Sequence, residues 1–139
     1  MSSKFEQISL KPGFMKHNGG VLFKTISENE YQFKTTIKEN HLNTAGIAHG
    51  GFIAALIDAG AGTAAHRSAN GSPCVTISLE LKFISTVKLG QELIGTTKIQ
   101  KKTKSMVFLT CELKVVDKIV ATASGVWKIL KLPGAGPGG

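Results

Sequence analysis

Residues 75–83 alternate strictly. Val75, Ile77, Leu79, Leu81 and Phe83 fall on one face, and Thr76, Ser78, Glu80 and Lys82 on the other. A period of two predicts a half-buried strand, because successive side chains point to opposite faces of a sheet. Val107, Leu109, Cys111, Leu113 and Val115 repeat the pattern, and Asp117-Lys118 marks the turn after them. Residues 119–130 read as a further strand with Trp127 among its inward positions, and residues 93–101 as another. Upstream, residues 21–27 and 31–38 are two β-rich runs, and Ser27-Glu28-Asn29-Glu30 between them suits a hairpin turn.

The stretch from His49 to His66 breaks this rhythm. Phe52, Ile53, Ala54, Ala55, Leu56 and Ile57, followed by a run of Ala and Gly, show no period of two and include strong helix formers. Gly50-Gly51 opens the segment and Asn70-Gly71 supplies a stop signal. Nearly every side is apolar, which predicts a helix buried all round. Gly60 and Gly62 weaken such a helix by about 1 kcal/mol each relative to Ala, so they predict close approach of a neighbouring backbone. The fold class expected is α+β: one long central helix wrapped by a five- or six-stranded antiparallel sheet.

At 139 residues, with 42% hydrophobic and 19% charged residues, the chain is one domain's worth of material. Residues 1–132 read as a single domain, and the Gly/Pro-rich residues 133–139 as a disordered tail. No run approaches the roughly 20 apolar residues that span a bilayer, and the first residues lack the apolar core of a signal peptide. The expectation is an intracellular protein, in the cytoplasm or alternatively the mitochondrial matrix. Net charge is the odd property, at +8. Arg67 is the only arginine, so the cations are almost all lysine. Base readers depend on Arg, and stacking readers on interleaved aromatics. A single arginine and aromatics that do not alternate with the lysines meet neither need, so no nucleic-acid partner is expected. A solvated basic surface and a small polyanionic ligand are the two readings that remain.

Asp58 is the residue that needs explaining. It is the only ionisable group between His49 and His66. An unpaired buried carboxylate costs several kcal/mol or titrates upward. It either meets a loop or a lysine of the sheet, or serves as base or nucleophile in a cleft. Directly before the helix stands His41-Leu42-Asn43-Thr44-Ala45-Gly46-Ile47-Ala48-His49-Gly50-Gly51. Amide N–H groups at a helix N-terminus are unsatisfied and partly positive, glycines admit a ligand oxygen close to the backbone, and an oxyanion hole needs such donors. Asn43 adds a side-chain amide to the same place. The four histidines show no metal-ligand spacing, so no metal and no cofactor are expected. Cys111 on its apolar strand face and Cys74 beside Pro73 read as packing residues, with a Cys–His nucleophile as the alternative.

These residues carry a resemblance. HLNTAGIAHGGFIAALIDAGAG resembles the signature of HotDog-fold acyl-CoA thioesterases, most like the group of phenylacetate-degradation-type and acyl-CoA thioesterase thirteen-like enzymes. The likeness runs on through VTISLELKFISTVKLG and covers most of residues 20–130. It implies a long helix wrapped by the sheet and two protomers that join their sheets. It also implies Gly50 as the backbone donor to the thioester carbonyl, supported by Asn43 and His49, and Asp58 as the carboxylate that activates water or attacks. A serine that helps position water in related enzymes matches Thr76. The substrate implied is an acyl-CoA, whose phosphates give the lysines a role. Lys82 and Lys88 flank the segment containing Phe83 and Ser85, and Lys101, Lys102 and Lys104 crowd the next turn; a solvated hairpin is the other reading of this set.

Helical spacing adds a constraint of its own. Gly50 and Asp58 are eight residues apart, roughly 12 Å along a helix axis. A base and an oxyanion donor must each come within about 3 Å of one carbonyl. An antiparallel pair of helices across a two-fold axis brings Gly50 of one chain to Asp58 of the other, so a homo-oligomer, dimer or dimer of dimers, is expected. Three rivals stand beside the thioesterase reading. They are a non-catalytic acyl-CoA-binding or regulatory HotDog protein, a basic scaffold for RNA or anionic membrane, and a double-bond hydratase on the same fold.

Overall fold

The computed structural model describes residues 4–131; the tail expected at 133–139 lies outside them. Seven strands form one sheet: β1 (Glu6–Gln7), β2 (Leu22–Ser27), β3 (Glu30–Thr36), β4 (Cys74–Phe83), β5 (Glu92–Lys102), β6 (Met106–Val115) and β7 (Lys118–Ile129). They lie in the order β1-β2-β3-β5-β6-β7-β4, and every pairing is antiparallel. Six long strands meet the expectation, and the two-residue β1 adds the seventh. No periodic pattern can reveal a strand of two residues.

The long helix, α2 (Gly50–Ser68), starts and stops where the punctuation predicts. Asn70 and Gly71 take positive φ, 56° and 82°, which closes the helix as an Asn-Gly stop should. The sheet curls round α2, which packs against β3, β4, β5, β6 and β7. Phe52, Ile53, Leu56, Ile57, Ala61, Ala64 and Ala65 of the helix are buried there, with Phe23, Phe33, Leu93, Leu113 and Trp127 of the strands. A short helix, α1 (Phe14–His17), and a single 3₁₀ turn, Glu39–His41, were not expected from the pattern. Both are too short to show a helical period.

Two expectations are corrected. The helix is not buried all round: Gly51, Asp58 and His66 are exposed and Ala54, Ala55 and Gly62 half-buried, so one stripe of α2 faces out of the protomer. The apolar positions of β4 are also largely open, with Ile77 54% and Phe83 57% exposed, and Val75, paired with Lys128, is exposed on the outer face. The reason is topological. β4 is the terminal strand of the sheet, hydrogen-bonded to β7 on one side only.

Close approach to α2 also differs in kind from the expectation. At Gly60 a Cβ would run into the Phe33 ring, and at Gly62 it would lie 3.3 Å from Trp127 Nε1. Aromatic side chains, not a neighbouring backbone, stand against these glycines, closely enough at Gly60 to leave no room for a Cβ and only tightly at Gly62. Gly95 of β5 meets the other end of the Phe33 ring, so that ring is clasped between two residues that have no side chain.

Candidate active site

The segment before α2 is a braced loop. His41 is buried and its ring stacks on Phe52, with centroids 3.8 Å apart. Its Nδ1 accepts from the Lys38 N–H at 2.9 Å, so Nε2 carries the proton and donates to the Asn18 carbonyl at 2.6 Å. With both ring nitrogens used internally, His41 pins the loop and takes no part in chemistry. The His49 N–H donates to the His41 carbonyl at 2.8 Å, which ties the start of α2 to that pin.

His49 is the N-cap of α2, and its Nδ1 accepts from the Gly51 N–H at 2.8 Å. A Cβ on Gly51 would stand 2.9 Å from the same nitrogen, so this glycine makes the cap possible. The N–H groups of Phe52 and Ile53 both donate to the His49 carbonyl. Gly50 is the exception: among the described residues its N–H has no hydrogen-bond partner. One partly positive donor of the first turn is therefore left free, as an oxyanion hole requires. Asn43 sits beside it. Its Oδ1 accepts from the N–H groups of Ala45 and Ile47 at 2.9 and 3.3 Å, which turns the Nδ2 amide away from the loop. Asn43, Gly50, Phe83, Ser85 and Val87 line one cleft of about 280 Å³. The Phe83 ring lies over Gly50, within 3.6 Å of where a Cβ would stand.

Asp58 occupies a different cleft, of about 430 Å³, with Ala59, Gly62, Thr63, His66, Cys74, Thr76 and Trp127. The expected buried carboxylate is corrected here: Asp58 is exposed within the protomer. Its partner is neither a loop nor a lysine. The Thr76 hydroxyl donates to Asp58 Oδ1 at 2.7 Å, leaving Oδ2 for another donor.

Strict alternation would place Thr76 on the outer face of β4 with Ser78 and Glu80. A β-bulge between Thr76 and Ser78 prevents that. The extra residue, Ile77, shifts the phase, so Thr76 pairs with inward-facing Trp127 and turns toward the helix. Re-aiming a side chain beside a site is a common use of a bulge. Sequence periodicity could not have found it.

Other expected site residues divide between the two ends of α2. Lys82 and Lys88 lie with Phe83 and Ser85 at the N-terminal end, Lys82 pairing loosely with Glu80 at 3.9 Å. Lys101, Lys102 and Lys104 lie at the C-terminal end, where Lys102 Nζ donates to the Ser68 carbonyl at 2.5 Å. One protomer therefore does not gather the lysines into a single patch. The cysteine alternative loses its chemical basis. Burial pushes the Cys111 thiol up to about 12, and it also raises that of Cys74, so neither is a ready thiolate. Among the described residues, no group of three His, Cys, Asp or Glu side chains is placed to hold a metal ion, and no helix is long and apolar enough to cross a membrane.

Residues 45–122 match the family model of the thioesterase superfamily. The chain belongs to that superfamily. Thioester hydrolysis is accordingly the reaction class of this superfamily member. It is 36% identical to a candidate esterase of Pseudomonas aeruginosa over 67% of this chain and 70% of that one. It is 28% identical to mouse acyl-coenzyme A thioesterase 13, over 79% of this chain and 80% of that protein. The zebrafish thioesterase superfamily member 2 structure superposes with a TM-score of 0.79 at 22% identity, covering 88% of this chain and 90% of that one. A Streptococcus pneumoniae thioesterase-type protein, solved with coenzyme A, gives 0.74 at 17% identity, over 94% and 98%. These superpositions establish the HotDog architecture, and the family match includes Gly50, Asp58 and Thr76 but neither Asn43 nor Trp127.

Proposed function

We propose that this thioesterase superfamily member hydrolyses acyl-CoA thioesters in sites shared between two protomers, each built from the Gly50–Asn43 cleft of one and the Asp58–Thr76 cleft of the other. The observation that carries the reading is the separation of the free donor and the carboxylate into two clefts along the same open stripe of α2. An antiparallel pair of helices crossing near Ala54, midway between Gly50 and Asp58, would bring the complementary halves together twice. The uncovered edge and exposed apolar residues of β4 favour such a pairing, because an unpaired edge strand is a template for a second one. The same pairing would set the lysines of one chain's 82–88 region near the 101–104 region of its partner, where they would meet the phosphates of CoA as point charges.

In this mechanism the thioester carbonyl oxygen accepts from the Gly50 N–H and the Asn43 amide. Asp58, held by Thr76, removes a proton from a water molecule as its oxygen bonds to the carbonyl carbon. The negative charge moves onto the carbonyl oxygen, where the two donors stabilise it. Collapse of this tetrahedral intermediate breaks the C–S bond, and the departing sulfur takes the proton from Asp58. The products are a carboxylic acid and CoA. His49 contributes by capping the helix that carries the donor. Asp58 separates this reading from a non-catalytic acyl-CoA binder on the same fold, which has no use for a carboxylate held beside the thioester. A panel of acyl-CoA thioesters with free-thiol detection tests the reading. CoA release is expected from at least one member, and binding of acyl-CoA with no thiol release across the panel would leave the non-catalytic alternative.

A further inference from the structure

Trp127 stands in the wall of the Asp58 cleft and is only 1% exposed. A buried indole normally gives its N–H to an acceptor, because an unpaired donor kept from water is costly. Among the described residues the Trp127 N–H has no acceptor. It is not sealed in, however. The fully enclosed side-chain polar atom without a partner is Thr97 Oγ1, so the small part of Trp127 that stays open includes Nε1.

Gly62 keeps that edge of the ring accessible. A Cβ at Gly62 would stand 3.3 Å from Nε1 and 3.9 Å from the adjoining ring carbon. Gly62 follows Asp58 by four residues, which places their Cβ positions about 5–6 Å apart on one side of a helix. Trp127 is also the register partner of Thr76, whose hydroxyl donates to Asp58 Oδ1 at 2.7 Å. Two adjacent strands therefore bring two donors to the same end of the cleft. Thr76 bonds the carboxylate directly, and the indole N–H stops short of it. A donor and an acceptor that share a polar cleft without touching are matched by one bridging water.

We infer that the Trp127 indole N–H holds the water that Asp58 activates, with Nε1–H donating to the water oxygen and the water donating to Asp58 Oδ2. The inference rests on the proposed hydrolysis and adds the residue that aims its nucleophile. Held at two points, the water turns its remaining lone pair toward the carbonyl carbon. As its oxygen bonds to that carbon, its proton passes to Oδ2, and Nε1 keeps its own proton throughout. Fixing the attacking oxygen acts through orientation, so loss of the N–H should lower kcat and spare KM.

Trp127 is the only tryptophan in the chain. Trp127→benzothienylalanine, in which sulfur replaces the N–H, removes one donor and keeps the size of the ring. Gly62→Ala is the second variant: its methyl group covers the same N–H while alanine favours the helix. Both are compared with the wild type by kcat and KM on an acyl-CoA thioester, by urea unfolding, and by high-resolution crystal structures of the oligomer. Each should lose about tenfold in kcat, near the most that one neutral hydrogen bond supplies, with KM within twofold and unfolding little changed. The wild-type crystal should show a water within hydrogen-bond distance of both Nε1 and Oδ2, and the benzothienylalanine protein should lack it. An unchanged kcat in the benzothienylalanine protein would overturn the inference, and a loss in Gly62→Ala alone would assign the effect to the added methyl group. A raised KM with kcat intact would overturn it too, giving the N–H to an oxygen of the substrate instead. A wild type that releases no thiol would remove the hydrolysis reading. The crystals decide the water separately: no water shared by Nε1 and Oδ2 would overturn the inference even where turnover is robust.

Discussion

At the scale of single residues, the site depends on what each polar group has left to give. His41 and His49 both belong to the motif that suggests chemistry, and the structure spends their inner nitrogens on holding the loop and capping α2. The Gly50 N–H, the Asn43 amide and one oxygen of Asp58 remain available. Asp58→Asn keeps the size of the side chain and its ability to accept from Thr76 but abolishes the base. Because Asp58 is exposed, the substitution should leave the thermal unfolding curve unchanged and lower kcat by about 10²-fold or more, the usual range for removing a general base. Near-native kcat in Asp58→Asn would remove Asp58 from the mechanism. Asn43→Ala should lower kcat by about 10²-fold, as loss of one oxyanion donor does. Because Asn43 Oδ1 also braces Ala45 and Ile47, its kcat needs to be read beside KM; a change in KM alone would make Asn43 a binding residue. The residue types were legible in the sequence, since a lone carboxylate in an apolar helix and a Gly-Gly start are local signals. The Thr76 contact was not, because it depends on a bulge that shifts the phase of a strand pattern.

At the scale of elements, the periodicities located α2 and the long strands because each period reflects which side faces the core. They misjudged β4, whose apolar face looks like any half-buried strand but lies at the sheet's edge. Strand order is set by pairings between distant residues, and alternation along one strand carries no information about them. The same limit applies to Gly60: the sequence shows that a helical glycine needs a reason, but only the packing shows that Phe33 is the reason. Gly60→Ala therefore sets two effects against each other. Helix propensity favours Ala by about 1 kcal/mol, whereas forcing a methyl into a filled core costs about 1–3 kcal/mol. With the Phe33 ring clasped between Gly60 and Gly95 it has nowhere to retreat, so net destabilisation is expected in urea unfolding. The combination with Phe33→Leu should recover part of the loss, as interacting sites do. A Gly60→Ala protein more stable than wild type would show that the ring can move.

At the scale of the whole molecule, one protomer holds two half-sites on one open helix stripe, with the unpaired edge of β4 alongside. The eight-residue spacing from Gly50 to Asp58 made this separation readable from the sequence, since a helix fixes distance along its axis. The most direct test of a shared site is complementation between Gly50→Pro and Asp58→Asn. Proline suits the first position of a helix. His49, the residue before it, already has the extended conformation that proline requires, with φ −65° and ψ 131°. The space at Gly50 is also ordinary contact distance from Phe83, so the substitution should remove the N–H and spare the fold. Each variant alone should be inactive. Mixed in equal amounts under conditions that exchange subunits, about half the dimers become mixed, and each of those has one site with both lesions and one with neither. Activity should then return to about a quarter of wild type; no recovery, with mixed dimers verified by mass spectrometry of the intact complex, would contradict the shared site.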